Sequence, residues 1–185
     1  QDWRIATALR EHHAQRYDFG TYEASDYDEL IDHPVEMGRF VLAQFNACGT
    51  VHDIAITGAI PNLDTTRLTL DLEKICTQQI KFFEPHRHQA PINRYVFLLN
   101  VIGEGYGGLE HRASSALLCA RANLPIKGNS TINRADYRQL LGLFSHEYFH
   151  TWHVKRIKPA AFAPYDLHQE NYTRLLWLFE GFTSY

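Results

Sequence analysis

Apolar residues recur along this chain in two rhythms, and the rhythm changes mark its elements. Residues 40–45 and 51–58 carry short runs of apolar and β-branched side chains on either side of Ala47-Cys48-Gly49-Thr50, which reads as two strands and their connection. The period then lengthens. Pro61-Asn62-Leu63-Asp64 opens a helix with Asp64 as its cap, and Leu68, Leu72, Ile75, Ile80 and Phe83 carry it to about residue 83. After a loop over 84–91, Tyr-Val-Phe-Leu-Leu-Asn-Val at 95–101 is the most β-prone run in the chain and predicts a central strand. Residues 114–124 fit a short strand or helix followed by a loop. Residues 127–132 read as a linker, and Arg134-Ala135-Asp136 begins a second long helix, whose tail Pro159 ends. Residues 160–169 look irregular, and 174–185 predict a last helix. It shows no capping signal at its end, which suggests a piece of a longer protein. The first part is less regular. Trp3, Ile5, Ala8 and Leu9 suggest a short helix over 2–17, followed by a surface-hugging loop over 19–32 and a turn-rich joint at 33–38.

The second long helix contains the candidate chemistry, in Ser145-His146-Glu147-Tyr148-Phe149-His150-Thr151-Trp152-His153. At about 100° per residue, with His146 at zero, His150 falls near 40°. On the same scale Tyr137, Leu140, Leu141, Phe144, Tyr148 and Trp152 occupy an arc from about 120° to 240°. One face therefore packs into a core while the other presents two imidazoles one turn apart. This is the H-E-x-x-H arrangement, in which both His reach one metal ion and the Glu beside them is a candidate general base. With His and Glu each at about 0.06 of residues, chance supplies such a spacing roughly 0.04 times in the chain. The plain alternative is two His and a Glu on a solvated helix face.

Composition narrows the class without naming a function. The 185 residues are 45% hydrophobic and 21% charged, with net charge -3 and a pI near 6.4, the profile of a globular protein with no basic surface for nucleic acid or an anionic membrane. No apolar run approaches the ~18 residues of a membrane span. Nothing identifies a compartment, cytoplasmic or periplasmic. Cys48, Cys76 and Cys119 are widely spaced and form no C-x-x-C pair, so they read as small buried residues. Pro85-His86-Arg87-His88 reads as a solvated loop.

Two His do not complete a zinc site; a catalytic one takes a third protein ligand and keeps a position for water. His153 shares the face, yet the helix rises ~10 Å between His146 and His153, too far for one ion. His153 is better read as lining the cleft or supporting a ligand. Glu180 is the stronger candidate. It is a carboxylate inside Leu176-Trp177-Leu178-Phe179-Glu180-Gly181-Phe182, where burial is expensive unless the charge is paired or metal-bound. A salt bridge to Arg156 or Arg174 is the competing explanation. Gly103, Gly105, Gly107 and Gly108 lie within six residues and give backbone that a ligand can approach closely.

His146-Glu147-Tyr148-Phe149-His150-Thr151-Trp152, Lys155-Arg156-Ile157-Lys158-Pro159 and Leu178-Phe179-Glu180-Gly181-Phe182 together resemble the glycyl-aminopeptidase family of zinc peptidases, relatives of thermolysin and aminopeptidase N in the gluzincin clan. Gly107-Gly108-Leu109-Glu110-His111 is similar to that family's counterpart of the G-x-M-E-N strand, and Pro34-Val35-Glu36-Met37-Gly38 also looks familial. The resemblance implies one zinc ion held by His146, His150 and Glu180, with Glu147 activating water. It implies that Gly107, Gly108, Leu109 and Glu110 bind substrate backbone by strand addition, and that Glu110 meets a free α-amino group. Small N-terminal residues, Gly or Ala, are the implied substrates. Ser184 stands where thermolysin-like sites hold an Asp that supports a zinc-ligand His. The family's N-terminal β domain and C-terminal helical and PDZ parts are expected outside residues 1–185, which read as the catalytic domain, and the oxyanion-steadying Tyr is expected beyond Tyr185.

The expected architecture is α+β: a thermolysin-like catalytic domain, with a mostly antiparallel sheet packed on the helices that carry the H-E-x-x-H site. The expected function is a zinc metallopeptidase acting on peptides with a free N-terminus. An endopeptidase with the same zinc, or a catalytically incomplete peptide-binding piece, are the alternatives.

Overall fold

The computed structural model describes residues 2–128 and 135–184. The chain begins with three short strands, β1 (Arg4–Ala6), β2 (Arg10–His13) and β3 (Thr21–Glu23), a five-residue helix α1 (Tyr27–Ile31), and β4 (Glu36–Gly38). The helix expected over 2–17 is absent: Arg4 pairs with Gly38 and Arg10 with Glu23. These partners lie far along the chain, so the spacing of Trp3, Ile5, Ala8 and Leu9 carried no information about them. The loop expected over 19–32 likewise contains β3 and α1, the latter capped by Asp26, which accepts from the Glu29 amide.

A five-stranded sheet follows, built from β5 (Val41–Ala47), β6 (Thr50–Thr57), β7 (Arg94–Ile102), β8 (Tyr106–Glu110) and β9 (Ser114–Ala120), in the spatial order β5-β6-β7-β9-β8. The β5–β6 hairpin turns on Cys48 and Gly49, both at positive φ (51° and 82°), the two-residue turn whose twist matches paired strands. Helix α2 (Thr65–Phe83), capped by Asp64, crosses from β6 to the parallel strand β7. Strand β9 then pairs parallel with β7, and β8 folds back antiparallel on β9 as the outer edge. The sheet is therefore mixed, not mostly antiparallel as the sequence suggested. Sequence marked β5, β6 and β7 as strands, but partner and direction are decided by crossovers such as α2.

Strand β7 is central, as expected, and apolar on both faces because both are covered. Tyr95, Phe97, Leu99 and Val101 face α2 and the second long helix, α3 (Ala135–Phe149), within the main core. Val96 and Leu98 face a smaller cluster with Ala6, Phe40 and Ala55 under the N-terminal strands. The linker and helix start read at 127–134 fall largely on residues 129–134, outside the described ones. The expected last helix is instead two four-residue helices, α4 (Leu176–Phe179) and α5 (Gly181–Ser184), with Glu180 between them. Among the described residues no helix is long and apolar enough to cross a membrane.

Candidate active site

Helix α3 lies on the sheet through Tyr137, Leu140, Phe144 and Tyr148, the stripe read from sequence, joined by buried Leu143. Tyr148 is held hardest. Its ring packs edge-on against Tyr95 at 4.8 Å between centroids, and its hydroxyl lies 2.9 Å from Nε2 of the buried His52. This packing sets the rotation of α3 and so aims His146 and Glu147. The helix ends at Phe149, and His150 belongs to the turn that follows.

The two imidazoles still meet. Their Nε2 atoms are 3.1 Å apart, with the rings at 86°. Glu180 arrives from between α4 and α5, its Oε2 3.3 Å from His146 Nε2 and 3.6 Å from His150 Nε2. Three donor atoms separated by 3.1–3.6 Å match the edges of a tetrahedron of ~2 Å metal bonds, which are about 3.3 Å long. His150 donates from Nδ1 to the His153 carbonyl at 3.0 Å, so in the neutral ring Nε2 presents a lone pair to the centre. His146 Nδ1 lies 3.4 Å from the Ser184 hydroxyl. The donor set thus suits a divalent cation in geometry, and His150 suits it in tautomer as well. Burial and the neighbouring His150 pull the His146 pKa down, while Glu180 and Glu110 push it up.

His153 supports His150 through its backbone, as just described, and its ring stacks on Phe179 at 4.5 Å. Phe179 is buried and immediately precedes Glu180, so this stack seats the third carboxylate. Nothing in the one-dimensional pattern pointed to that contact. The burial argument for Glu180 does not hold: its side chain is 48% exposed. Its proximity to the imidazoles takes the place of the salt bridge to Arg156 or Arg174. Arg156 instead donates to the carbonyls of Thr151, Arg112 and Pro91.

Glu147 is 4% exposed. Burial first, then the charges of Glu110 and Glu180, push its pKa up to about 8. A carboxylate so placed is mostly protonated at neutral pH, and a cation among the three donors would favour its ionised form. Gly108 explains how Glu147 fits. A Cβ on Gly108 would stand 2.1 Å from Glu147 Oε1. Of the glycines singled out from sequence, Gly108 meets the chain's own carboxylate closely, whereas Gly107 has open space beside it.

Strand β8 runs along the open side of the site. Tyr106, Gly108 and Glu110 alternate onto the face toward α3, with Tyr106 half exposed at its outer end, whereas Leu109 points away and is more than half exposed. Glu110, Glu147 and His150 each offer a ligand atom within 4.8 Å of the others, as do His146, His150 and Glu180. Glu110, His146, Glu147, His150 and Glu180 therefore surround one space, with Gly108 pressed against Glu147, while Gly107 and Leu109 alternate to the other face of β8. On the other flank of Glu110 a pocket of about 200 Å³ opens between α1 and residues 155–167. Beneath it the buried Asp32 carboxylate accepts from His111, the Arg112 amide and Lys155, contacts that hold its pKa far below the usual range. This network ties α1 to the end of β8 and to the turn beyond α3.

Residues 139–185 match the family model of the M61 glycyl aminopeptidase, and residues 1–39 match the peptidase M61 N-terminal domain. No curated protein matches the chain. Among solved structures the chain is similar to an aminopeptidase N family protein from Idiomarina loihiensis, with 43% identity and a TM-score of 0.93 over 100% of this chain. The match covers 30% of that relative's length.

Proposed function

Since this chain belongs to the glycyl-aminopeptidase family, we propose that it carries the zinc-binding and substrate-strand elements of an aminopeptidase site. The observation that carries the reading is the convergence of His146 Nε2, His150 Nε2 and Glu180 Oε2 at 3.1–3.6 Å. His146, His150 and Glu180 would hold one zinc ion. Bound there, zinc would supply Lewis acidity, polarising the scissile carbonyl and bringing the pKa of water toward ~7.

The rest of the chemistry belongs to side chains and backbone. Glu147, ionised beside the cation, takes the proton of the attacking water and passes it to the leaving amine. The exposed edge of β8 pairs with the backbone of an extended peptide. Glu110, at the end of that edge and close to Glu147, is positioned to meet the α-ammonium of the substrate and so to select an unblocked N-terminus. Preference for Gly or Ala at that terminus is the specificity that membership implies.

The test combines metal content with hydrolysis of Gly- and Ala-amide reporters by the wild type and by Glu147→Gln. Stoichiometric zinc, hydrolysis by the wild type and its loss in the variant support the assignment. Turnover by Glu147→Gln at the wild-type rate removes Glu147 as the base. Equal cleavage of N-acetylated and free peptides assigns an endopeptidase and strips Glu110 of its role.

A further inference from the structure

Behind the carboxylate of Glu147 lie three buried hydroxyls that the chemistry above does not use. Tyr95 of β7, Ser115 of β9 and Thr151 in the turn after α3 are each 0% exposed. Strand register brings two of them together. Tyr95 and Phe97 share the face of β7 that packs under Tyr148. Ser115 pairs with Phe97 on one side and with Glu110 on the other, so its side chain joins the same face. Thr151 follows His150 directly. The Tyr95 hydroxyl has those of Ser115 and Thr151 as neighbours and feels the charge of Glu147.

The Ser115 and Thr151 hydroxyls lie within hydrogen-bonding reach of the Tyr95 hydroxyl, yet none of the three makes a well-directed bond, and neither does Glu147 Oε2. Buried polar atoms are rarely left so, and three neighbouring hydroxyls within reach of the Glu147 charge call for a common explanation. The inventory supplies one. Each hydroxyl brings a donor and can accept, whereas an ionised carboxylate oxygen only accepts. A water among them, with two donors and two acceptors, completes such a set in the way buried waters do. The two oxygens of Glu147 are also distinct. Oε1 presses toward Gly108 and the β8 groove, where substrate would lie, whereas Oε2 is enclosed.

We propose that Tyr95, Ser115 and Thr151 bind an ordered water against Glu147 Oε2 and together orient the carboxylate, leaving Oε1 to meet the attacking water. They are positioning residues and touch neither metal nor substrate. The inference rests on the reading of Glu147 as the base, and its test has an arm independent of activity.

The first arm is a high-resolution crystal structure of the zinc-loaded protein. A water bonded to at least two of the hydroxyls and to Glu147 Oε2 is expected. A dry cluster, with the hydroxyls bonded only to one another, overturns the proposal. The second arm is kinetic, on zinc-loaded Tyr95→Phe, Ser115→Ala and Thr151→Val. Each should lower kcat by about tenfold, with KM and zinc affinity unchanged, and Thr151→Ser should restore wild-type kcat. Wild-type kcat in all three variants overturns the proposal, as does a fall in zinc affinity that accounts for the whole loss. Should Tyr95→Phe fail to fold, Ser115→Ala and Thr151→Ser decide the kinetic arm. A zinc-loaded wild type without peptidase activity sinks the catalytic reading instead, and the crystallographic arm alone then settles the water site.

Discussion

The two sides of the candidate metal site are built differently. On one side, His146 and Glu147 ride on a helix locked to the sheet, with His150 in the turn that ends it. His150 is 1% and Glu147 4% exposed, and the residues beneath them, Leu140, Phe144 and Tyr148, are fully enclosed. On the other side, Glu180 sits between two four-residue helices whose neighbours are largely open, with Leu176 at 54%, Trp177 at 66% and Phe182 at 61%. Phe179 is the one buried anchor in that pair of helices. The first side draws its precision from core packing. The second rests on the Phe179–His153 stack, the Ser184–His146 contact and whatever bridges the three donor atoms. A site assembled this way has two fixed corners and one that a metal ion can pull into place.

The comparison can be broken in graded steps. Glu147→Gln keeps shape and burial but removes the proposed base; peptidase turnover should fall by roughly 10²–10⁴-fold, with zinc binding retained by direct titration. A comparable loss of zinc would show instead that the fixed side needs the Glu147 charge for metal binding.

The packed side should also be the acid-sensitive one. His52 is 0% exposed and holds Tyr148 from below, and burial pulls its pKa down to about 4. The unfolded chain takes up this proton near pH 6.5 and the folded protein only near 4, so stability falls as pH drops through that window and the loss is complete below it. The loss from this group is about 3 kcal/mol. Urea unfolding at pH 7.5 and 4.5 captures most of it, and His52→Gln should flatten the difference between the two.

Gly108→Ala tests how tightly the fixed side meets the substrate strand. The new methyl would overlap Glu147 Oε1, so either β8 or the carboxylate must move. A displacement near 1 Å should lower kcat by about 10²-fold, while zinc affinity stays put because no donor atom is touched. An unchanged kcat would mean that the edge strand yields without disturbing the base.

The smallest effect belongs to the loose side. Phe179→Ala removes the stack on His153 and should weaken zinc binding by about tenfold, within the range seen when an outer partner of a metal ligand is lost. Hydrogen exchange should show zinc slowing residues 176–184 and leaving β7 unchanged. Equal protection of both regions would erase the distinction between them.

The contrast between the two sides also separates what sequence held from what it lacked. His146 and His150 were legible because a helix turn places residues four apart together whatever surrounds it. The strand at 95–101 and the Asp64 cap were legible for the same reason: a short window contains all the physics they need. The N-terminal residues were misread as a helix because Arg4 finds its partner at Gly38, and no local window spans that gap. The sheet directions were missed because a strand's own residues do not say which neighbour will dock.

Glu180 is the instructive middle case. Its apolar setting singled it out, yet the side chain is half exposed, and the meeting with two imidazoles comes from the path of residues 155–184. The same holds for Gly108, whose missing side chain announced a close approach without saying that Glu147 would make it. Sequence by itself determined the helix that pairs two His and the strands that bury a core. Only tertiary structure decided which carboxylates and hydroxyls surround that pair, because those contacts join positions tens of residues apart, and packing, not spacing, brings them together.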